Sequence, residues 1–150
     1  MVVAGDLNST PGSAPHDLLV KQCVDSNHPD LAMDPLRLFS GAHAPKLQHS
    51  LKLKSAYAAG AGNPGPGAPE AVRTLRSRLD PEHLEPQFTN FTHDAKLTLD
   101  YIIYSAGELT PTALLELPAP SQLGPAPAAL PNESWSSDHI ALMAEFQHTG

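Results

Sequence analysis

Three acidic points and one imidazole carry most of the chemistry available to this sequence. Asp138-His139 stands directly ahead of an apolar run, Ile140-Ala141-Leu142. An imidazole with a carboxylate nearby, held at the mouth of a strand, can act as acid or base near neutral pH. Asp100 lies inside a second apolar run, between Leu99 and Tyr101. A carboxylate there is costly unless it is paired or ligates a cation. Asp6 and Asn8 follow a short β run, and their spacing of two puts both side chains on one side if strand geometry persists. A carboxylate at that point can orient or deprotonate a water, and an amide can donate to a phosphoryl oxygen. Each point also has a plainer reading. Asp6 and Asn8 suit an Asx turn, Asp100 a structural ion pair or a barrel rim, and Ser137-Asp138 a helix cap or surface turn. Asp100 is the better partner for His139 than Asp138 is, because adjacent strand residues point to opposite faces.

The elements that must position these groups are read from pattern. Met1 to Ala4 is a short buried strand that ends in the turn-forming Gly5-Asp6. Ser13 can cap a helix from about Ala14 to Val24, with Pro15 in its first turn and Leu18, Leu19 and Cys23 at helical spacing. Residues 25–49 read as loop, with a helical turn near Pro35 to Phe39. Leu51 to Tyr57 is a short helix or ordered turn. Ala58 to Pro69 is nearly all Ala, Gly and Pro and reads as a flexible insertion; with the short exposed helix that follows, the insertion runs over about 58–86. Phe88 to Phe91 is a short strand, and Leu97 to Tyr104 is the strongest strand of the chain, rich in β-branched and aromatic residues. Ala113 to Leu117 and Ile140 to Phe146 complete the strands, separated by a Pro-rich connector over 118–131.

Composition bounds the alternatives. The 150 residues allow one domain with a modest core, 41% apolar but only 5% aromatic. A formal charge of −7 gives no basic surface for nonspecific nucleic-acid binding, so a polyanionic substrate would need a divalent cation beside it. The single Cys23 excludes an internal disulfide and a thiolate cluster, in keeping with a reducing compartment. No apolar run approaches the roughly 20 residues that span a bilayer. Of the eight histidines, all but His139 lack metal-ligand spacing and read as exposed loop residues.

Taken together and in order, Gly5-Asp6-Leu7-Asn8-Ser9-Thr10-Pro11, Leu99-Asp100-Tyr101-Ile102-Ile103-Tyr104-Ser105 and Ser137-Asp138-His139-Ile140-Ala141-Leu142 resemble the second half of the endonuclease/exonuclease/phosphatase family. Phe88-Thr89-Asn90-Phe91-Thr92 and the run from Leu130-Pro131 to Trp135-Ser136-Ser137-Asp138-His139 are similar to its deadenylase branch, the carbon-catabolite-repressor type, with nocturnin-like, Angel-like and 2′-phosphodiesterase relatives nearby. The resemblance covers roughly residues 1–24, 50–57 and 87–147 and leaves 25–49 and 58–86 as lineage-specific loops.

The resemblance implies an α/β fold, the C-terminal half of a two-sheet α/β/β/α sandwich occupying residues 1–147. It implies Mg2+ as cofactor, RNA bearing poly(A) as substrate, and 3′–5′ phosphodiester hydrolysis by in-line attack of water. A deadenylase complex is the implied partner, and the cytoplasm or nucleus the implied setting. By the same analogy Asp6 orients or activates the water, Asn8 contacts the scissile phosphate, His139 stabilises the transition state or moves a proton, and Asp100 orients it. Asp138 lies beside the metal or holds the site together, and Asn90 and Phe91 touch substrate. Other members of the family, an abasic-site endonuclease or a phosphoinositide phosphatase, remain open, as does a non-catalytic interaction module using the Pro-rich segment. Two departures stand out. The family's metal-binding Glu, on a Leu-Gln-Glu-like strand, has no counterpart in this chain, so the chain reads as an incomplete fragment, inactive alone. The aromatic that stacks on adenine in deadenylases falls on Ala95.

Overall fold

The computed structural model describes residues 1–39, 45–62, 65–124 and 129–150. In chain order the elements are β1 (Val2–Asp6), α1 (Ala14–Lys21), a 3-10 turn (Pro29–Met33), β2 (Leu53–Ser55), α2 (Ala56–Ala61) and α3 (Glu70–Ser77). Then follow β3 (Asn90–Phe91), β4 (Lys96–Leu97), β5 (Asp100–Ser105), β6 (Leu109–Leu114), a second 3-10 turn (Pro120–Gln122) and β7 (Ala144–His148). The architecture is mixed α/β with antiparallel pairing.

Strand β5 is the spine. Its run Asp-Tyr-Ile-Ile-Tyr-Ser is β-branched and aromatic, and it pairs antiparallel with β1 on one side and β2 on the other. Alternation along β5 divides the molecule into two faces. Tyr101 and Ile103 point to the first, where Leu53, Val3, Leu7 and the α1 residues Leu19 and Val20 cover them. Ile102 points to the second and packs on the larger core of Tyr57, Ala61, Leu79, Phe88, Leu117, Leu123, Leu130 and Ile140. Asp100 heads this second face.

Several sequence expectations are corrected. Strand β1 runs through Gly5 and Asp6 rather than turning there, with Gly5 at φ 148°, a conformation that favours glycine. It is an edge strand, not a buried one, and Val2 is 47% exposed. Helix α1 stops at Lys21, short of Val24, because Gln22 takes the left-handed conformation. The turn expected at Pro35 to Phe39 lies earlier, at Pro29–Met33. The insertion over 58–86 is structured where described: Ala58 to Ala61 continue α2, Ala61 and Leu79 are buried, and Glu85 is 2% exposed.

The long strand from Leu97 breaks at Thr98-Leu99. There the Leu99 and Asp100 amides turn to the Thr89 hydroxyl and the Thr98 hydroxyl bonds the Pro86 carbonyl, so the backbone leaves the β3–β4 pairing. Strand β6 begins earlier than expected and tolerates Pro111 at a bulge between Pro111 and Ala113. The last strand divides between two partners. Residues at His139-Ile140 bond to the Thr89–Phe91 segment, and only from Ala144 does the chain pair with β6. The connector over 118–131 is not a passive spacer, since Leu123 and Leu130 are 0% and 3% exposed in the main core; its residues 125–128 lie outside the described residues.

Candidate active site

The site is built where the start of β5, the end of β1 and the segment before β7 meet. Asp6 and Asp100 are directly paired across β1 and β5. Opposite residues in an antiparallel pair share a face, with Cβ atoms roughly 5 Å apart. Two like charges so placed are unfavourable by themselves, and a cation between them relieves this. His139 lies against one of the two carboxylates, that of Asp100. Its Nδ1 donates to Asp100 Oδ2 at 2.7 Å. That bond chiefly, with the charges of Asp100, Asp138 and Asp6 adding, holds the imidazole pKa above its ordinary value, while partial burial opposes the rise. The side chains of His139 and Asp100 are 28% and 20% exposed. Among the described residues nothing bonds Nε2 of His139, which leaves that nitrogen available to a ligand.

The plainer reading of Asp6 coexists with the chemical one. Its Oδ1 accepts the Asn8 amide at 2.7 Å, an Asx turn, and Asn8 sits in the left-handed region at φ 46°. Its Oδ2 bonds to none of the described residues. The loop is pinned to β5 by the Tyr101 hydroxyl, which donates to Ser9 O at 2.6 Å. Burial, and the negative charges of Glu85, Asp100 and Asp80, push that phenol pKa up, so it stays a donor.

On the opposite side, Asn90 and Phe91 are engaged with the Asp138 segment. Asn90 is 7% exposed, and its Nδ2 donates to Asp138 Oδ2 at 3.1 Å. The Phe91 ring packs against Phe88 at 5.5 Å, with the Lys96 ammonium 5.0 Å from its centroid. Its amide donates to Asp138 O at 2.9 Å. Both residues therefore hold the Asp138 segment. Ser137 adds a turn by accepting the His139 amide on Oγ at 3.1 Å. Ala95 closes the β3–β4 turn by bonding Thr92.

Carboxylate oxygens are suitable donors for Mg2+. Among the described residues, however, no group of three or more His, Cys, Asp or Glu side chains is placed to hold a metal ion. Asp138 Oδ2, Asp100 Oδ2 and Asp6 Oδ1 each already accept a hydrogen bond. Asp138 itself is held by Asn90 and the Phe91 amide, beside the imidazole.

Sequence reading missed two buried groups. His16, expected in an exposed loop, is 2% exposed, and Glu85 is equally buried. His16 Nε2 lies 3.4 Å from Glu85 Oε1, and the Ser55 hydroxyl donates to Glu85 Oε2 at 2.8 Å. The residues are 69 apart in sequence, so no local pattern announces the pair.

Comparison with known proteins agrees with the motifs. The model of the endonuclease/exonuclease/phosphatase family matches residues 1–139. Carbon catabolite repressor protein 4 homolog 1 of Arabidopsis thaliana is 50% identical over 98% of the chain, and homolog 2 is 48% identical over 99%. The CCR4-Not complex 3′-5′-exoribonuclease subunit Ccr4 of Aspergillus clavatus is 38% identical over 100% of it. Segments 25–49 and 58–86, set aside as lineage-specific, therefore fall within these alignments. The chain spans 23% and 24% of the two Arabidopsis relatives' own length. Among solved structures, ANGEL2, described as a 2′,3′-cyclic phosphatase in complex with adenosine-2′,3′-vanadate, aligns with a TM-score of 0.60 at 25% identity. That alignment covers 97% of this chain and 44% of that one.

Proposed function

This chain belongs to the endonuclease/exonuclease/phosphatase family, and we propose that it carries the carboxylate–imidazole part of a 3′–5′ exoribonuclease site that shortens poly(A). The observation that carries the proposal is the 2.7 Å bond from His139 Nδ1 to Asp100 Oδ2. Asp100 fixes the tautomer and keeps the ring protonated more readily, because its bond and charge favour the cation. A protonated His139 then presents Nε2–H to a non-bridging or leaving oxygen of the scissile phosphate and stabilises the charge that develops there. Asp6, through Oδ2, which bonds none of the described residues, accepts a proton from the attacking water and orients it in line. Asn8 lies two residues on, where its amide can donate to the phosphate. Asn90 and Phe91 keep Asp138 in place beside the imidazole.

An acidic constellation of this kind repels a phosphodiester, so the reading includes a divalent cation, Mg2+, to offset the charge. The chain spans 23% of the length of Arabidopsis homolog 1, and the 150-residue chain alone is expected to be inactive or nearly so. In its full setting the protein would act on RNA tails, and a deadenylase complex is the assembly in keeping with the Ccr4 relatives.

The test is a hybrid in which this chain replaces the matching segment of Arabidopsis carbon catabolite repressor protein 4 homolog 1. With Mg2+ it should trim oligo(A) from the 3′ end, and the chain by itself should not. Trimming by the isolated chain that disappears in His139→Ala would overturn the inactivity; an inert hybrid beside an active parent would overturn the function. A second reading follows from the ANGEL2 likeness, hydrolysis of a 2′,3′-cyclic phosphate end. Offering the hybrid cyclic-ended and linear oligo(A) side by side separates the two. The interaction-module reading loses ground, because Leu123 and Leu130 of the Pro-rich segment are buried in the core.

A further inference from the structure

Thr89 has no role in the chemistry above, yet the strands that build the site meet at it. Its residue exposure is 0%. The hydroxyl oxygen accepts two backbone amides, from Leu99 at 2.9 Å and from Asp100 at 3.0 Å. A hydroxyl offers two acceptor lone pairs, so both are occupied. The backbone of Thr89 is engaged as well: its N–H donates to Leu97 O at 2.8 Å and its carbonyl accepts the Ile140 amide at 2.8 Å.

The two sets of bonds lead to the two ends of one contact. Leu99-Asp100 is where the backbone passes from the β3–β4 pairing into β5, and its amides have lost their ladder partners there. Buried amides need acceptors, and a side-chain oxygen replaces the missing carbonyl. One of those amides belongs to the residue whose carboxylate accepts from His139. Ile140, bonded to the Thr89 carbonyl, follows His139 directly. The isolated bridge between Asn90 and His139 continues the same pairing. A threonine that merely filled space would be met equally by valine, its near-isostere without the acceptor. Valine would leave two part-buried N–H groups facing a fully buried apolar side chain, without their acceptor, at the position that sets the direction of the Asp100 carboxylate.

We propose that Thr89 is a positioning residue for the Asp100–His139 pair, its hydroxyl fixing the backbone of Asp100 while its carbonyl fixes the segment that carries His139. The proposal takes from the preceding section that this pair reacts, but the first of its two tests does not depend on that.

The first test is the low-temperature proton NMR signal of the His139 Nδ1–H in the 150-residue chain, assigned by its loss in Asp100→Ala. Thr89→Ser should keep the signal at its wild-type downfield position. Thr89→Val should move it upfield or broaden it away, with far-ultraviolet circular dichroism showing that the variant is folded. If Thr89→Val does not fold, Thr89→Cys, whose sulfur is a weaker acceptor, should shift the signal part of the way. A folded Thr89→Val or Thr89→Cys with the wild-type signal overturns the proposal. So does a Thr89→Ser variant that loses it.

The second test is turnover in the hybrid enzyme. Thr89→Val should lower kcat by about 100-fold with KM nearly unchanged, since small misplacements of a reacting group cost about that much. Thr89→Ser should restore most of the rate. Equal losses in Val and Ser, or a loss confined to KM, overturn the positioning role. An NMR result as expected beside a wild-type hybrid that never cleaves RNA overturns the functional reading alone.

Discussion

Two imidazole–carboxylate pairs stand on opposite faces of β5, and only one leaves an imidazole nitrogen without a partner among the described residues. His139 meets Asp100 on the face headed by Ile102. His16 meets Glu85 on the face of Tyr101, with its ring 5.4 Å from that phenol ring. The residue types are nearly the same; what differs is how many of their atoms are used. Both nitrogens of His16 are engaged: Nδ1 accepts the Gly12 amide at 3.2 Å and Nε2 faces Glu85. Glu85 meets His16 with one carboxylate oxygen and Ser55 with the other, and its own amide bonds Asp80. The pair is fully engaged and joins α1, β2 and the segment before β3. His139 keeps one nitrogen open, and Asp6 and Asp138 surround it with charge. A saturated polar cluster specifies a fold, whereas a site needs an unspent atom facing a place where substrate can sit.

The contrast can be broken from either side. The largest effect should come from His139→Ala in the hybrid enzyme, a loss of RNA-trimming rate on the order of 10²–10⁴-fold. Its unfolding free energy in urea should stay within about 1 kcal/mol of the parent. Glu85→Ala should do the reverse, removing about 3 kcal/mol of stability because it strips a buried imidazole and hydroxyl of their acceptor. Urea denaturation reads it, and a Glu85→Ala variant as stable as the parent would mean that the second pair is not a structural joint. Ser55→Ala deletes one hydrogen bond of that joint and should cost about 1 kcal/mol.

The smallest expected effect is a pH dependence. The folded-state pKa of His139 is raised. Its contribution to stability is therefore fully present below the unfolded imidazole value of about 6.5 and is lost as pH rises through the folded value. Thermal midpoints across that window should fall for the wild type more than for Asp100→Asn, in which the charge that favours the cation is gone. Parallel curves would contradict this.

How much of this the sequence carries depends on the range of the interaction. The Asp100–His139 contact is legible because strand alternation disfavours the adjacent Asp138 and leaves Asp100 as the nearest carboxylate that needs a reason. β5 is legible from its side chains alone. The orientation of Asn90 is not: an Asn beside an aromatic suits substrate or backbone equally, and only the return of the chain at Asp138 decides. His16 is hidden for the same reason, since its partner arrives from a segment that reads as insertion. Ala58 to Ala61 look too weak to order, yet they extend a helix whose Tyr57 and Ala61 are buried in the main core. Tertiary burial overrides the local composition. The Val-Val-Ala of β1 misleads in the opposite sense, because it forms an edge strand with its side chains largely exposed.

The central claim is that Asp100 and His139 act as one catalytic unit. The most direct measurement is the single-turnover rate of oligo(A) cleavage by the hybrid enzyme in four forms: parent, Asp100→Ala, His139→Ala and both together. Groups that act as a unit are strongly non-additive. The double variant should be no more than about threefold slower than His139→Ala alone. Losses that multiply across the two substitutions, or a rate that survives His139→Ala, would contradict it.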